Sequence, residues 1–108
     1  MRQIAIVAVL AGLGWPLASQ AQDVGRAEAL LKKSGCTKCH AVSAKKDGPS
    51  FKEVAAKYKG KPDAEATVRR QITTGPMIKI EGKEERHDAL KTKDDAEIAN
   101  AVAYILSR

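Results

Sequence analysis

Cys36-Thr37-Lys38-Cys39-His40 constrains this chain more than any other stretch. CxxCH is the attachment signature for a covalently held haem. Thiols at i and i+3 can each add across one vinyl group on the same porphyrin edge, giving two thioethers. The adjacent imidazole then lies under the ring, with Nε2 available to iron as the proximal ligand. Other uses of a CxxC pair fit less well. A redox disulfide expects a strand and a βαβ pattern around it, and structural zinc needs four ligands. The only cysteines are these two, and the only histidines are His40 and His87.

The first residues read as an export leader. Arg2 supplies a positive start, the stretch from Ile4 to Leu13 is apolar, Trp15-Pro16 interrupts it, and Ser19-Gln20-Ala21 offers the small residues of a cleavage site. Removal of residues 1–21 after Ala21 is expected. An uncleaved anchor is disfavoured because a membrane-spanning helix needs about 20 apolar residues. Covalent haem is attached on the far side of the inner membrane, so the expected location is the periplasm of a Gram-negative bacterium.

Residues 22–108 then form one small domain, in which no repeat, low-complexity tract or long linker divides the chain. A chain this short buries too little apolar surface to be comfortable alone. Of its aromatic residues, Trp15 falls in the leader and only Phe51, Tyr58 and Tyr104 remain. A large apolar macrocycle would supply the missing core, one haem c per chain.

Periodicity predicts helices throughout and no strand. The first runs from an Asp23 cap to about Ser34, with Val24, Ala27, Leu30 and Leu31 on one face and Gly35 as the stop. A second starts at the Ser50-x-x-Glu53 capping box, carries Phe51, Val54, Ala55 and Tyr58, and stops at Gly60. A third follows Pro62-Asp63, places Ala64, Val68 and Ile72 at four-residue spacing, and ends near Gly75. The last reads from a Thr92-x-x-Asp95 capping box and buries Ile98, Val102, Tyr104 and Ile105. A charged loop from Gly75 to about Thr92 lies before it. The fold class is all-α.

In this order the residues resemble the class I c-type cytochromes, specifically the small bacterial monohaem type such as cytochromes c-551 and c-552. The resemblance rests on Gly35 through His40, then Gly48-Pro49-Ser50-Phe51-Lys52-Glu53-Val54-Ala55-Ala56-Lys57-Tyr58-Lys59-Gly60, Arg70-Gln71-Ile72-Thr73-Thr74-Gly75 and Tyr104-Ile105-Leu106-Ser107. It implies about four short helices wrapped around one haem, with the first and last helices crossing. It also implies that the Pro49 carbonyl meets the other nitrogen of His40, which fixes the tautomer and increases ligand basicity.

The chain departs from that pattern at the sixth ligand. These cytochromes supply a methionine from the loop ahead of the last helix, and two residues here compete for the role. Met77 has the expected chemistry and follows Pro76, but it comes almost directly after the third helix. His87 stands within a residue or two of the expected position. In isolation His87 reads as a solvated residue of a charged run, and Met77 as apolar packing. Position outweighs residue type, so His87 is the expected distal ligand and Met77 its rival. A second imidazole stabilises Fe(III) where a thioether raises the potential.

The expected function is one-electron transfer, by a free carrier or by the electron-accepting partner or subunit of a periplasmic dehydrogenase, and not catalysis. The contrasting expectation is a haem enzyme or gas-binding sensor with an open sixth site, which rapid carbon monoxide binding would reveal. The formal net charge is +6. Lys32, Lys33, Lys38, Lys45, Lys46, Lys52, Lys57, Lys59 and Lys61 concentrate in the first half, either as ordinary solvated helix faces or as a basic ring steering acidic redox partners. Nucleic acid is an improbable partner without an Arg-rich stretch or stacking aromatics. A monomer or small subunit is expected, with no membrane span once the leader is gone.

Overall fold

The computed structural model describes residue 12 and residues 22–108, so the expected leader and its cleavage site lie outside the described residues. Among the described residues there are four helices: α1 (Val24–Lys33), α2 (Phe51–Tyr58), α3 (Ala64–Thr74) and α4 (Asp95–Leu106). A 3-10 turn at Cys36–Lys38 follows α1, and two short strands, β1 (Met77–Ile80) and β2 (Lys83–Arg86), separate α3 from α4.

The helix boundaries have local causes. The Asp23 carboxylate accepts from the Arg26 N–H at 3.0 Å, and the Ser50 hydroxyl accepts from the Glu53 N–H at 3.0 Å, each satisfying a first-turn donor that has no helical partner. Beyond α1 and α3, Gly35 and Gly75 take left-handed backbone with φ +80° and +59°. The start of α4 differs from expectation. Asp94 caps it by accepting from the Glu97 N–H at 2.9 Å, while the Thr92 hydroxyl reaches the Glu97 side chain at 2.5 Å. The expected capping residue sits two positions too early, because Asp94 offers a better acceptor nearer the helix.

α4 packs against α1, α2 and α3. Ile98, Ala101, Val102, Tyr104 and Ile105 meet Ala27, Leu31, Phe51, Val68 and Ile72 in the core. At the α1–α4 crossing the Asn100 side chain accepts from the Asp23 N–H at 2.9 Å and donates to its carbonyl at 2.8 Å. Tyr104, only 1% exposed, donates to Glu28 at 3.1 Å across the same crossing. Among the described residues no helix is long and apolar enough to cross a membrane.

The stretch read as an irregular charged loop contains an antiparallel hairpin, with Met77 opposite Arg86 and Ile80 opposite Lys83. Glu81 and Gly82 form its turn, with φ +50° and +80°. Positive φ at both central residues is the two-residue turn whose twist suits a hairpin. Glu in place of Asn or Asp hides the signal, and Lys-Glu-Glu-Arg has no strand-forming residue. All-α therefore becomes mostly α: the fold is a helical frame with one small β-ribbon.

Candidate haem site

The 3-10 turn explains the CxxC spacing. Side chains at i and i+3 eclipse in such a turn, so Cys36 and Cys39 project on one side, and the Cys39 and His40 N–H groups both close back on the Cys36 carbonyl, at 3.3 and 3.0 Å. The following chain returns onto the motif: His40 pairs with Lys45 in an isolated bridge, the Gly48 N–H meets the Cys39 carbonyl at 2.9 Å, and the Lys46 ammonium donates to the Thr37 carbonyl at 2.9 Å. Cys36 is buried. That burial, followed by the nearby Asp88 carboxylate, pushes its thiol pKa above the usual cysteine value.

His40 is held from three sides. Its Nδ1 lies 2.5 Å from the Pro49 carbonyl. A carbonyl only accepts, so Nδ1 is the donor, and the tautomer this selects in a neutral ring puts the lone pair on Nε2. Phe51 stacks on the imidazole with centroids 5.4 Å apart and planes at 20°, and Tyr104 meets Phe51 edge-on at 6.1 Å. The third side is Gly48, where an added Cβ would stand 2.6 Å from His40 Cε1. Glycine at 48 is therefore a requirement of the ring beside it.

His87 arrives from the hairpin. Its N–H donates to the Pro76 carbonyl at 2.9 Å, and its Nδ1 faces the Asp88 carbonyl at 2.8 Å, a contact that makes Nδ1 the donor in this ring too. Three residues on, the Leu90 N–H donates to the Ile72 carbonyl at 2.8 Å, and the Lys91 N–H to the buried Ser34 hydroxyl at 2.9 Å. The centroids of His40 and His87 are 6.1 Å apart and their planes tilt by 49°.

A cavity of about 670 Å³ opens between these groups, within the range of roughly 300–1,000 Å³ typical of cofactor sites. Cys36, Cys39, His40, Pro49 and His87 all line it, joined by Val54, Tyr58 and Gln71 from α2 and α3 and by Ile78 and Ile80 from β1. Met77 does not line it; it is 55% exposed on the hairpin. A second cleft of about 570 Å³ between α1 and the start of α4 contains no cysteine or histidine.

Two thiols, two imidazoles and the apolar side chains Val54, Ile78 and Ile80 around one cavity fit a porphyrin that Cys36 and Cys39 would hold covalently and His40 and His87 could ligate. The ring spacing fits as well. The two imidazole centroids stand 6.1 Å apart in this lining, close enough that both rings could hold one metal. Sequence reasoning missed Ile78 and Ile80 as cavity wall, Gly48 as a clearance beside His40, and Arg86. The alternation Met77-Ile78-Lys79-Ile80 was the only available signal for the wall.

Residues 24–108 match the model of the Cytochrome c family. A cytochrome c-552 from Hydrogenobacter thermophilus is 36% identical over 75 residues, covering 69% of this chain and 68% of its own. A cytochrome c-551 from Pseudomonas aeruginosa is 46% identical over 48 residues, 44% of this chain and 46% of its own, so the chain spans about half the length of that relative. Among solved structures, the class 1 cytochrome MtoD from Sideroxydans lithotrophicus ES-1 superposes with a TM-score of 0.76 at 45% identity, covering 81% of this chain and 97% of MtoD. Nitrosomonas europaea cytochrome c552 gives 0.57 at 29% identity, over 74% and 96% of the two chains.

Proposed function

This chain belongs to the cytochrome c family, and on that premise we propose that it is a one-electron carrier, exported to the periplasm of a Gram-negative bacterium, with His40 and His87 as the two axial ligands of one haem c. Cys36 and Cys39 would hold the haem through thioethers. The bound haem supplies a single Fe(III)/Fe(II) couple. The carrier works with redox proteins, free or as the electron-accepting subunit of a periplasmic dehydrogenase, and no residue is assigned a catalytic role. The leader read in residues 1–21 supports export.

The observation that carries the ligand assignment is the pair of imidazoles 6.1 Å apart across the cavity, each with Nδ1 on a backbone carbonyl and Nε2 unengaged by it. Those carbonyls orient both rings and increase their basicity. Phe51 and the Gly48 clearance keep the His40 plane from turning, and Ile78 and Ile80 give the cavity apolar lining on the hairpin side. Two imidazoles favour the ferric state more than one imidazole and one thioether do, so the potential lies below that of His/Met relatives.

A spectroelectrochemical titration of the purified holoprotein tests this reading. The expected result is one reversible one-electron wave, low-spin spectra in both oxidation states, and no near-infrared methionine-to-iron(III) band. A methionine band, or a ferric high-spin spectrum at neutral pH, would overturn the bis-imidazole assignment.

A further inference from the structure

We propose that Arg86 is the positioning residue for His87: its guanidinium fixes the hairpin base to the end of α3, so that the neighbouring imidazole stays aimed into the cavity. This rests on His87 being the sixth ligand. Arg86 Nη1 donates to the Gly75 carbonyl at 3.1 Å. Carbonyls at a helix C-terminus lack helical partners and carry the negative end of the dipole, so a cationic donor is well placed there.

The hairpin needs such an anchor. It is a two-stranded ribbon with four residues in each strand, and β2 is exposed along its length. An isolated two-stranded hairpin is marginal in water. Its base is tied to α3 and the linker after it by three bonds: His87 N–H to Pro76 O, Leu90 N–H to Ile72 O, and Arg86 to Gly75 O. The first two are backbone bonds that any residue except proline could donate. The third is the one that the identity of residue 86 specifies. At the same point Gly75 has φ +59°, and a Cβ there would stand 2.7 Å from the His87 carbonyl and 3.6 Å from Arg86 Cγ. Gly75, Arg86 and His87 thus form one close junction, with Arg86 across it.

Replacing Arg86 lowers the barrier for His87 to leave the iron, which makes the sixth position exchangeable without removing the ligand. The test is the rate at which imidazole, an uncharged probe, binds to the ferric holoprotein in wild type, Arg86→Met and Arg86→Lys, with thermal unfolding measured in parallel. Arg86→Met is expected to keep a low-spin resting spectrum and to bind imidazole about tenfold faster, the equivalent of one hydrogen bond of ordinary net strength. Arg86→Lys, which keeps charge and a donor, recovers part of that change and serves if the methionine variant does not accumulate. A lower melting temperature with an unchanged imidazole rate in both variants would show a merely structural role and overturn the proposal. His87→Ala, measured alongside, separates the two levels: if it remains low-spin, the ligand assignment itself fails, whatever Arg86 does.

Discussion

His40 and His87 line one cavity with their rings 6.1 Å apart, but the chain delivers them by different routes. His40 follows its cysteines directly. It is fixed within a segment that closes on itself between Cys36 and Phe51, through the Cys36, Cys39 and Pro49 carbonyls and the Phe51 ring. His87 comes at the end of a ribbon, and its Nδ1 is held by the carbonyl of the next residue, a purely local bond. Its placement depends on the hairpin base being tied to α3 and on Ser34 holding Lys91. One imidazole is packed into a helical frame and the other is hung from it. With His87 as the proposed sixth ligand, this difference predicts a rigid His40 side and a His87 side whose hold on iron is set by tether strength.

The largest expected effect breaks the tether. Gly75→Ala forces a side chain into left-handed backbone at a cost of about 1–2 kcal/mol and sets its Cβ 2.7 Å from the His87 carbonyl, adding roughly 1–3 kcal/mol of overpacking. Denaturant unfolding of the ferric holoprotein should record that loss, with faster exchange of the sixth ligand. Gly48→Ala strikes the proximal side by overpacking alone, since its Cβ would meet His40 Cε1 at 2.6 Å. About 1–3 kcal/mol is expected, with sixth-ligand exchange near the wild-type rate. Equal ligand-exchange effects from the two glycines would break the comparison.

A smaller effect sits one ring behind His40, where Tyr104 meets Phe51 edge-on. Burial first, then the Glu28 hydrogen bond, raise the Tyr104 phenol above its ordinary value. A raised folded pKa means that the native state holds this proton more tightly. Its contribution is complete below the unfolded pKa of about 10 and is lost as pH climbs through the folded value. Tyr104→Phe should cost about 1 kcal/mol at neutral pH by losing that bond. It should also flatten the decline in stability above about pH 10, as read from unfolding at a series of alkaline pH values, and leave both axial signatures unchanged. Hydrogen exchange adds a measurement without mutation: amides of residues 77–86 exchange before those of residues 36–51, as the shorter, more exposed ribbon requires.

The same contrast explains what the sequence disclosed. The proximal side was legible because each part is local: CxxCH, the Gly48-Pro49 turn and the Ser50 cap lie within fifteen residues. Helix faces were legible from period, down to Val68, Ile72, Ile98, Val102 and Ile105 in the core. The hairpin was not, since its strands are four residues long, one is entirely charged, and its turn uses Glu81 where Asn or Asp gives the usual signal. His87 was singled out by position alone, and it lines the cavity with His40. That Arg86 and Gly75 support it depends on a meeting between α3 and the hairpin that no short-range pattern records. The lysines of the first half also act less uniformly than a ring would: Lys46 closes the CxxCH turn, while Lys57 and Lys61 lie over Tyr58.

On the proposed ligation, His87 and not Met77 completes the iron coordination with His40. The ferric absorption and electron paramagnetic resonance spectra of His87→Ala and Met77→Leu holoproteins, recorded side by side, test it most directly. His87→Ala is expected to lose the low-spin six-coordinate state, and Met77→Leu to keep it unchanged. The reverse pattern, with His87→Ala low-spin and Met77→Leu high-spin, would contradict the account.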